Sequence, residues 1–181
     1  MRELHDVDVS FDEAYARFEA TIEDARRDWS AMIMRAYPFK AELEAVADAL
    51  RHDLRASQIE VNSVGRKTQT TVARAPAGAT VSIDVHDSLC VIGVGEGRPL
   101  QISDAQNDVF LTGHPAVDLG VCSWASVPIK IAGTSAGTVC ALELTEPRIW
   151  GDPEQALLEH TATRIGELIT EWSSWADLRK L

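Results

Sequence analysis

At residues 121–144 the sequence reads VCSWASVPIKIAGTSAGTVCALEL. This pattern predicts two apolar β-strands joined by a turn at residues 132–135, where glycine and small polar residues favour chain reversal. The charged side chains of the stretch are Lys130 and Glu143. A hairpin with one solvated face would alternate apolar and polar residues, and this one hardly does so, which indicates cover on both faces. We therefore predict a central antiparallel hairpin with helices over one face and further chain over the other.

The composition is that of an ordinary globular domain. The chain has 181 residues, of which 45% are hydrophobic and 25% charged, enough for one domain with a core and an additional element. The net charge is −11. This charge argues against nucleic-acid binding, because contacts to phosphates need clustered Lys and Arg.

Cysteine and histidine usage bears on compartment and metal binding. The three cysteines, Cys90, Cys122 and Cys140, have no CxxC spacing, and the five histidines are scattered, so we expect no metal site. The acidic N-terminus lacks an apolar signal segment, and no apolar run reaches the roughly 18 residues that a membrane span needs. The expectation is a cytoplasmic protein with reduced thiols and no membrane partner.

Residues 1–36 are predicted to form an N-terminal arm and helix, ahead of a domain at residues 37–181. Residues 1–9 are expected to be a loose arm, and a helix should then begin at the capping box of Ser10 and Glu13. Apolar residues recur from there at heptad spacing, which is typical of a coiled-coil seam. They are Phe11, Tyr15, Phe18, Ile22, Ala25, Trp29, Met32 and Ala36. This helix should either self-associate or lie on its own domain.

Local patterns predict the middle of the chain. A helix over residues 39–55 follows the break at Pro38, because a residue before proline avoids helical geometry. β-Propensity and turn signals predict strands and short helical turns. The strands lie at residues 57–64, 67–75, 82–85 and 98–103, and the turns around residues 109–111 and 116–117. Residues 88–94 are ambiguous, since their β-branched side chains favour a strand while Ser88 and Gly95 or Gly97 suit the ends of a helix.

The last helix has a strong start signal. Asp152 is expected to cap it, Pro153 to take the first helical position and Gln155 to complete a capping box. Its apolar face is wider than a coiled-coil seam, so it can cover the sheet and still contact a second helix. The predicted dimerisation residues, taken from the two terminal helices, are Tyr15, Phe18, Ile22, Trp29, Ile165 and Trp172.

Residues 39–171 resemble a GAF-type domain, through six segments in the family's order. These are DSLC at 87–90, GEGRPLQISDA at 95–105, NDVF with HPAV between 107 and 117, WASVPI at 124–129, GTVCAL at 137–142 and an acidic helix entry at 149–158. The resemblance implies a GAF/PAS-like α+β fold with a central antiparallel sheet of five or six strands. The N- and C-terminal helices of the domain would cover one face, and short helices of residues 86–120 would enclose a small-molecule pocket on the other. It also favours a helix over residues 88–95.

The resemblance further implies a signalling or regulatory protein and not an enzyme. Family members bind cyclic nucleotides, tetrapyrroles, haem or small metabolites, or serve as dimerisation modules. We expect a homodimer that senses a small molecule and passes the signal to a separate output protein. The sequence does not indicate the identity of the ligand or of any cofactor. One alternative is a ligand-free interaction module, and another is a thiol-dependent free methionine sulfoxide reductase, which would need two cysteines within reach of each other.

The candidate ligand-binding residues follow from the same resemblance. They are Cys90, Val94, Asp104, Phe110, Trp124 and Ser126. Trp124 and Phe110 would form apolar walls, with Ser126 and Asp104 as the few polar groups that such a pocket needs. The alternative is that Trp124 fills the pocket itself. Cys90 is interpreted either as a small buried hydrophobic residue or as a reactive thiol at a helix entry. No residue is assigned a catalytic role.

Overall fold

The structure is a computed structural model, and it describes residues 1–4, 11–24 and 39–178. The elements in chain order are β1 (Arg2–Glu3), α1 (Phe11–Asp24), α2 (Lys40–Leu54), β2 (Gln58–Val64), β3 (Thr68–Ala75), β4 (Ser82–Asp84), α3 (Cys90–Glu96), β5 (Leu100–Ile102), α4 (Pro115–Asp118), β6 (Ser123–Ile131), β7 (Thr134–Glu143) and α5 (Asp152–Leu178). The strands of these described residues form one sheet in the order β1-β5-β6-β7-β2-β3-β4. The expected α+β architecture is thereby confirmed.

The central hairpin is confirmed and is tighter than predicted. β6 and β7 pair antiparallel from Ser123 opposite Glu143 to Ile131 opposite Thr134. A two-residue loop joins them, with Ala132 at φ 50° and Gly133 at φ 83°. Loops with positive φ at both central residues match the twist of the flanking strands. The second strand therefore starts at Thr134, directly after the glycine.

Both faces of the sheet are covered, as the apolar hairpin indicated. α2 and α5 pack on one face, over a core that includes Val127 and Val139. α3 packs on the other face, where a second core cluster includes Trp124 and Cys140. Side chains of successive strand residues point to opposite faces, so this hairpin contributes to both cores.

The first residues differ from the prediction of a loose arm. Arg2 and Glu3 pair in parallel with β5, and Leu4 is buried. The Glu3 carboxylate accepts hydrogen bonds from the Ser103 backbone N–H and hydroxyl. The sheet thus gains an edge strand and has seven strands among the described residues, where five or six were expected. Residues 5–9 of the predicted arm, and Ser10, lie outside the described residues.

The start of α5 is shifted by one residue from the prediction. The first intrahelical hydrogen bond runs from Gln155 N–H to Gly151 O, at 3.0 Å. Glu154 returns the reciprocal bond, since its carboxylate accepts from Gly151 N–H at 3.1 Å. Gly151 is therefore the cap and Glu154 the third helical residue, in place of Asp152 and Gln155.

The remaining elements confirm the predicted order. Strands β2 to β5 lie where turn signals and β-propensity placed them, and short helical segments occupy Val109–Leu111 and Pro115–Asp118. α2 ends at Leu54 and is capped by Arg55, which takes the left-handed conformation at φ 53°. Among the described residues, no helix combines the length and apolarity that a membrane crossing requires.

Candidate functional site

Residues Cys90–Glu96 form the helix α3 despite their β-branched composition. The Ser88 hydroxyl oxygen accepts a hydrogen bond from Cys90 N–H at 3.1 Å, and α3 ends at Gly97, which has φ 64° and whose N–H bonds to Gly93 O. Residues 90–94 are all buried. Burial against the sheet and suitable end residues therefore outweigh local β-propensity. The helix expected here from the family resemblance is confirmed.

Four of the six candidate ligand-binding residues come together under α3. Cys90, Val94 and Trp124 belong to one buried cluster, and Ser126 is buried beside Cys140, its cross-strand partner. Trp124 is only 2% exposed. In this structure its side chain is packed within the cluster and does not form the wall of an open site.

The other two candidates lie toward the edge. Phe110 is partly buried and packs against the same cluster. Asp104 lines a shallow surface groove of about 400 Å³ together with Glu3 and Asp108, and its carboxylate accepts a hydrogen bond from Asn107 Nδ2 at 2.8 Å. The structure therefore does not bring Asp104 to Ser126 as a second polar group of one site.

A second groove, larger than the one beside Asp104, lies on the opposite side of the sheet from α3. It runs between β6 and α5, has a volume of about 730 Å³, and is lined by residues that include Lys130, Glu159 and Glu167. α5 approaches β6 very closely here, because a Cβ atom added to Gly166 would lie 2.6 Å from Lys130 O. The six candidate residues are not part of this groove.

α1 covers α3 from outside. Phe18 is 1% exposed and joins the cluster beneath α3, together with Ala14. The two helices meet at Gly95, where an added Cβ atom would lie 2.9 Å from Ala14 O and 3.1 Å from Phe18 N. Tyr15 stacks on His86 with 4.3 Å between ring centroids. Tyr15 and Phe18 of the heptad stripe are thus used inside the protomer.

The predicted dimerisation residues do not form one surface. Phe18 is buried on the α3 side of the sheet, and Ile165 is buried in the core on the other side. Trp172 stacks on Phe39 of the same protomer, with 4.4 Å between ring centroids. The side chain of Ile22 and the whole of Trp29 lie outside the described part of the structure.

A polar cluster lies beneath α3, inside this otherwise apolar layer, and we call it the thiol cluster. It consists of Cys90, Cys140, Asn62, Thr138 and Ser126. The Cys90 and Cys140 sulfurs are 3.4 Å apart. Asn62 Nδ2 donates toward both, at 3.5 Å and 3.7 Å, and Thr138 Oγ1 lies 3.3 Å from Cys140 Sγ.

The strand register assembles the thiol cluster. Cys140 on β7 lies opposite Glu60 on β2 and opposite Ser126 on β6. Asn62 lies two residues after Glu60, so it points to the same face. The Thr71 hydroxyl donates to Asn62 Oδ1 at 2.8 Å. This bond occupies the acceptor of the amide, and the NH₂ group donates to Glu60 Oε2 at 3.4 Å as well as toward the two sulfurs.

The ionisable groups in this layer are shifted by their surroundings. The hydrogen bond with Cys140, together with burial, raises the pKa of the Cys90 thiol well above its ordinary value. Burial also tends to raise the pKa of Cys140, but the hydrogen bonds with Cys90 and Thr138 outweigh it and lower that pKa. Burial raises the pKa of Glu60.

The sequence pointed to Cys90 but not to its partners. Cys140 lies within an apolar strand pattern that indicates nothing beyond a core position, and Asn62 belongs to no motif. Asn62 carries the one signal that was available, because asparagine is unfavourable within a strand and this one is flanked by Val61 and Ser63 in a β-branched context. In the described residues, no group of three or more His, Cys, Asp or Glu is arranged to hold a metal ion.

Solved structures with the same fold include proteins of different activities. The chain is similar to a type II free methionine-R-sulfoxide reductase from Thermoplasma acidophilum, with a TM-score of 0.63 and 16% identity over 75% of this chain and 96% of that one. It is similar to the PixJ GAF domain of Thermosynechococcus elongatus in its blue-light absorbing form, with a TM-score of 0.60 and 18% identity over 81% and 95%. A domain of a putative two-component sensor histidine kinase from Sinorhizobium meliloti 1021 has a TM-score of 0.58 and 18% identity over 78% and 97%.

At these identities the similarity establishes the fold alone. No curated relative shows significant sequence similarity to this chain. The model of the GAF domain family matches residues 30–169. Since this match spans well over half of the 181 residues, the chain belongs to the GAF domain family.

Proposed function

We propose that this protein is a non-enzymatic regulatory GAF domain in which the position of α1 reports the state of the site under α3. The observation that carries the proposal is the docking of α1 across α3 at Gly95, with Phe18 buried in the cluster below. A small molecule entering beneath α3 would have to displace part of this cover. Binding would then be coupled to release of the apolar face of α1, which a partner could read.

The same proposal includes a cytoplasmic homodimer. Its support is the heptad pattern, which continues in the sequence through Trp29 and Met32 beyond the part that docks on α3. The dimer is best tested by substituting Ile22 and Trp29. Phe18 and Ile165 are less suitable, because both are also buried in the core of the protomer. Ile22→Ala combined with Trp29→Ala should weaken the dimer, whereas Glu19→Gln on the exposed flank of α1 should leave it intact.

A ligand-free interaction module is the second candidate, and the packing of Trp124 favours it. Trp124 is 2% exposed in a cluster with Cys90 and Val94, so the expected pocket is filled by the protein's own side chains. In this case the regulatory role rests on protein contacts alone, and a separate output protein would bind the domain without any small molecule.

Native mass spectrometry of protein purified without added ligand, followed by a denaturing run, separates these candidates. A dimer with extra mass that is lost on denaturation supports the sensor, and the mass difference is the mass of its ligand. A dimer at the mass of two bare chains supports the interaction module. A bare monomer contradicts the coiled-coil dimer and leaves α1 as an intramolecular cover.

A reductase acting on free methionine sulfoxide has weaker support. The Cys90–Cys140 pair meets the requirement for two thiols within reach, but both residues are buried, so a substrate could meet them only after α1 and α3 had moved. Formation of methionine from free methionine-R-sulfoxide and dithiothreitol, and its loss in Cys90→Ser, would support this activity. Absence of turnover would remove it.

A further inference from the structure

We propose that Cys90 and Cys140 form a two-electron redox site that a small hydroperoxide converts into a disulfide linking α3 to β7. This modification is independent of the proposed ligand and of dimerisation. It requires only the folded domain and an oxidant of the hydroperoxide class.

The two thiols are in direct contact. Their sulfurs are 3.4 Å apart, and a disulfide bond is about 2.05 Å long. The residues lie on different elements, Cys90 in the first turn of α3 and Cys140 in the middle of β7. The two sulfurs need to approach by about 1.4 Å for this bond to form.

The surroundings of the pair are unusual for structural cysteines. A buried cysteine ordinarily serves as a small hydrophobic residue among apolar neighbours. Here a fully buried asparagine donates toward both sulfurs, and Thr71 holds its amide in that orientation. Burying an amide is costly unless its hydrogen bonds are made. A donor aimed at sulfur stabilises a thiolate more than a thiol, so Asn62 favours the reactive form.

The chemistry balances with one equivalent of hydroperoxide. Cys140 is contacted by both Asn62 Nδ2 and Thr138 Oγ1, so we assign it as the attacking sulfur. Its thiolate attacks one oxygen of the peroxide, the O–O bond breaks, and the other oxygen leaves and takes up a proton as water or alcohol. Cys140 is then a sulfenic acid. The Cys90 sulfur attacks the sulfenic sulfur, the S–S bond forms, and hydroxide leaves with the Cys90 proton as water. Two thiols are oxidised and one peroxide is reduced.

The burial of the pair restricts the size of the oxidant that can reach it. Cys90 is 4% exposed and Cys140 1%, so a bulky disulfide oxidant that must form a mixed disulfide is excluded from the folded state. A hydroperoxide of a few atoms needs only a transient opening of α1 over α3. Cys122 provides an internal comparison, because it is partly exposed and its thiol contacts only Gly120 O among the described hydrogen bonds, at 3.6 Å.

The test uses the full-length Cys122→Ser protein, folded and reduced, exposed to hydrogen peroxide and quenched in acid. Remaining thiols are alkylated under denaturing conditions and the protein is digested for peptide mass spectrometry. We expect loss of two hydrogen atoms from the intact mass, a Cys90–Cys140 linked peptide, and full reversal by dithiothreitol. Cys90→Ser and Cys140→Ser, which keep a hydroxyl at the same place, should give no linked peptide.

Three results would overturn the proposal. In the first, both thiols stay alkylatable at peroxide levels that oxidise Cys122 in the parent protein. In the second, oxidation stops at a sulfenic or sulfinic acid on one cysteine. In the third, the linked peptide forms only after unfolding in urea.

A second variant tests the surroundings of the pair without touching a cysteine. Thr71→Val is nearly isosteric and frees the Asn62 amide to turn away from the sulfurs. It should slow disulfide formation on the order of tenfold, since hydrogen bonds to charged groups are strong but nucleophilicity partly compensates. An unchanged rate would overturn the role given to Asn62.

Discussion

The contact between α1 and α3 can be tested by placing a single methyl group at Gly95. The Cβ atom of Gly95→Ala would lie 2.9 Å from Ala14 O and 3.1 Å from Phe18 N. Both neighbours are backbone atoms, so neither can move without moving α1. We therefore expect α1 to undock.

The size of the effect follows from what α1 buries. Phe18 is 1% exposed, and a phenylalanine side chain gains about 1.5–3 kcal/mol from full burial. Loss of that docking energy should accelerate amide hydrogen exchange in α1 by roughly 10- to 100-fold. Alanine is a better helix former than glycine by about 1 kcal/mol, so α3 itself should not be weakened.

Hydrogen–deuterium exchange measured by peptide mass spectrometry gives separate exchange rates for α1 and α3. The expected result is fast exchange in α1 with protection of β6 and β7 unchanged. Gly78→Ala is the matched control, because its added Cβ meets only the flexible side chain of Arg74. Exchange in α1 at the wild-type rate in Gly95→Ala would refute the docking of α1 across α3, and with it the proposed readout.

Three other substitutions test the contact of α5 with β6, the ion pair at Glu143 and the pKa of Glu60. Gly166→Ala would place a Cβ atom 2.6 Å from Lys130 O, and this overpacking should cost about 1–3 kcal/mol of unfolding free energy in urea titration; an unchanged midpoint would contradict the close approach of α5 to β6. Arg148→Met removes the cation that donates to the buried Glu143 carboxylate at 2.8 Å and leaves it the Ser57 hydroxyl, and should cost about 3 kcal/mol; a loss below about 1 kcal/mol would mean that Ser57 and solvent replace the arginine. Burial raises the pKa of Glu60, so the folded state binds its proton more tightly than the unfolded state. Stability should therefore fall as pH rises from the ordinary carboxyl pKa through the raised one. Glu60→Gln should flatten this slope in denaturation curves taken between pH 4 and 7, and an identical slope would show that Glu60 does not cause it.

The part of the site that the strand pattern predicts is the set of β6 residues that share one face of the sheet. Trp124 and Ser126 alternate with Ala125 and Val127 along β6, and they lie on opposite faces, as a period of two requires. The alternation in the sequence therefore predicts which residues of β6 share a face of the sheet. Whether Trp124 lines a cavity or fills it depends on how closely α3 approaches, and Gly93 brings α3 to within reach of Ser126.

The heptad stripe shows where spacing alone is insufficient. A stripe of apolar residues at intervals of three and four predicts a buried helix face, and Phe18 is buried. The same spacing serves a second copy of the chain or the chain's own domain equally well. Gly95, far away in sequence, provides the flat surface on which α1 docks, and no pattern within residues 11–36 encodes it.

Local sequence determined the hairpin at β6 and β7, the ends of the helices and the sharing of apolar residues between two faces, because turns, caps and periodicity act over a few neighbouring residues. Only the tertiary structure decided the helical state of α3, whose β-branched residues favour a strand until burial against the sheet outweighs that preference. It also brought Cys90 to Cys140, 50 positions apart in the chain. Their contact depends on the register of β7 and on the place where α3 crosses it, and both are set by packing across the whole domain.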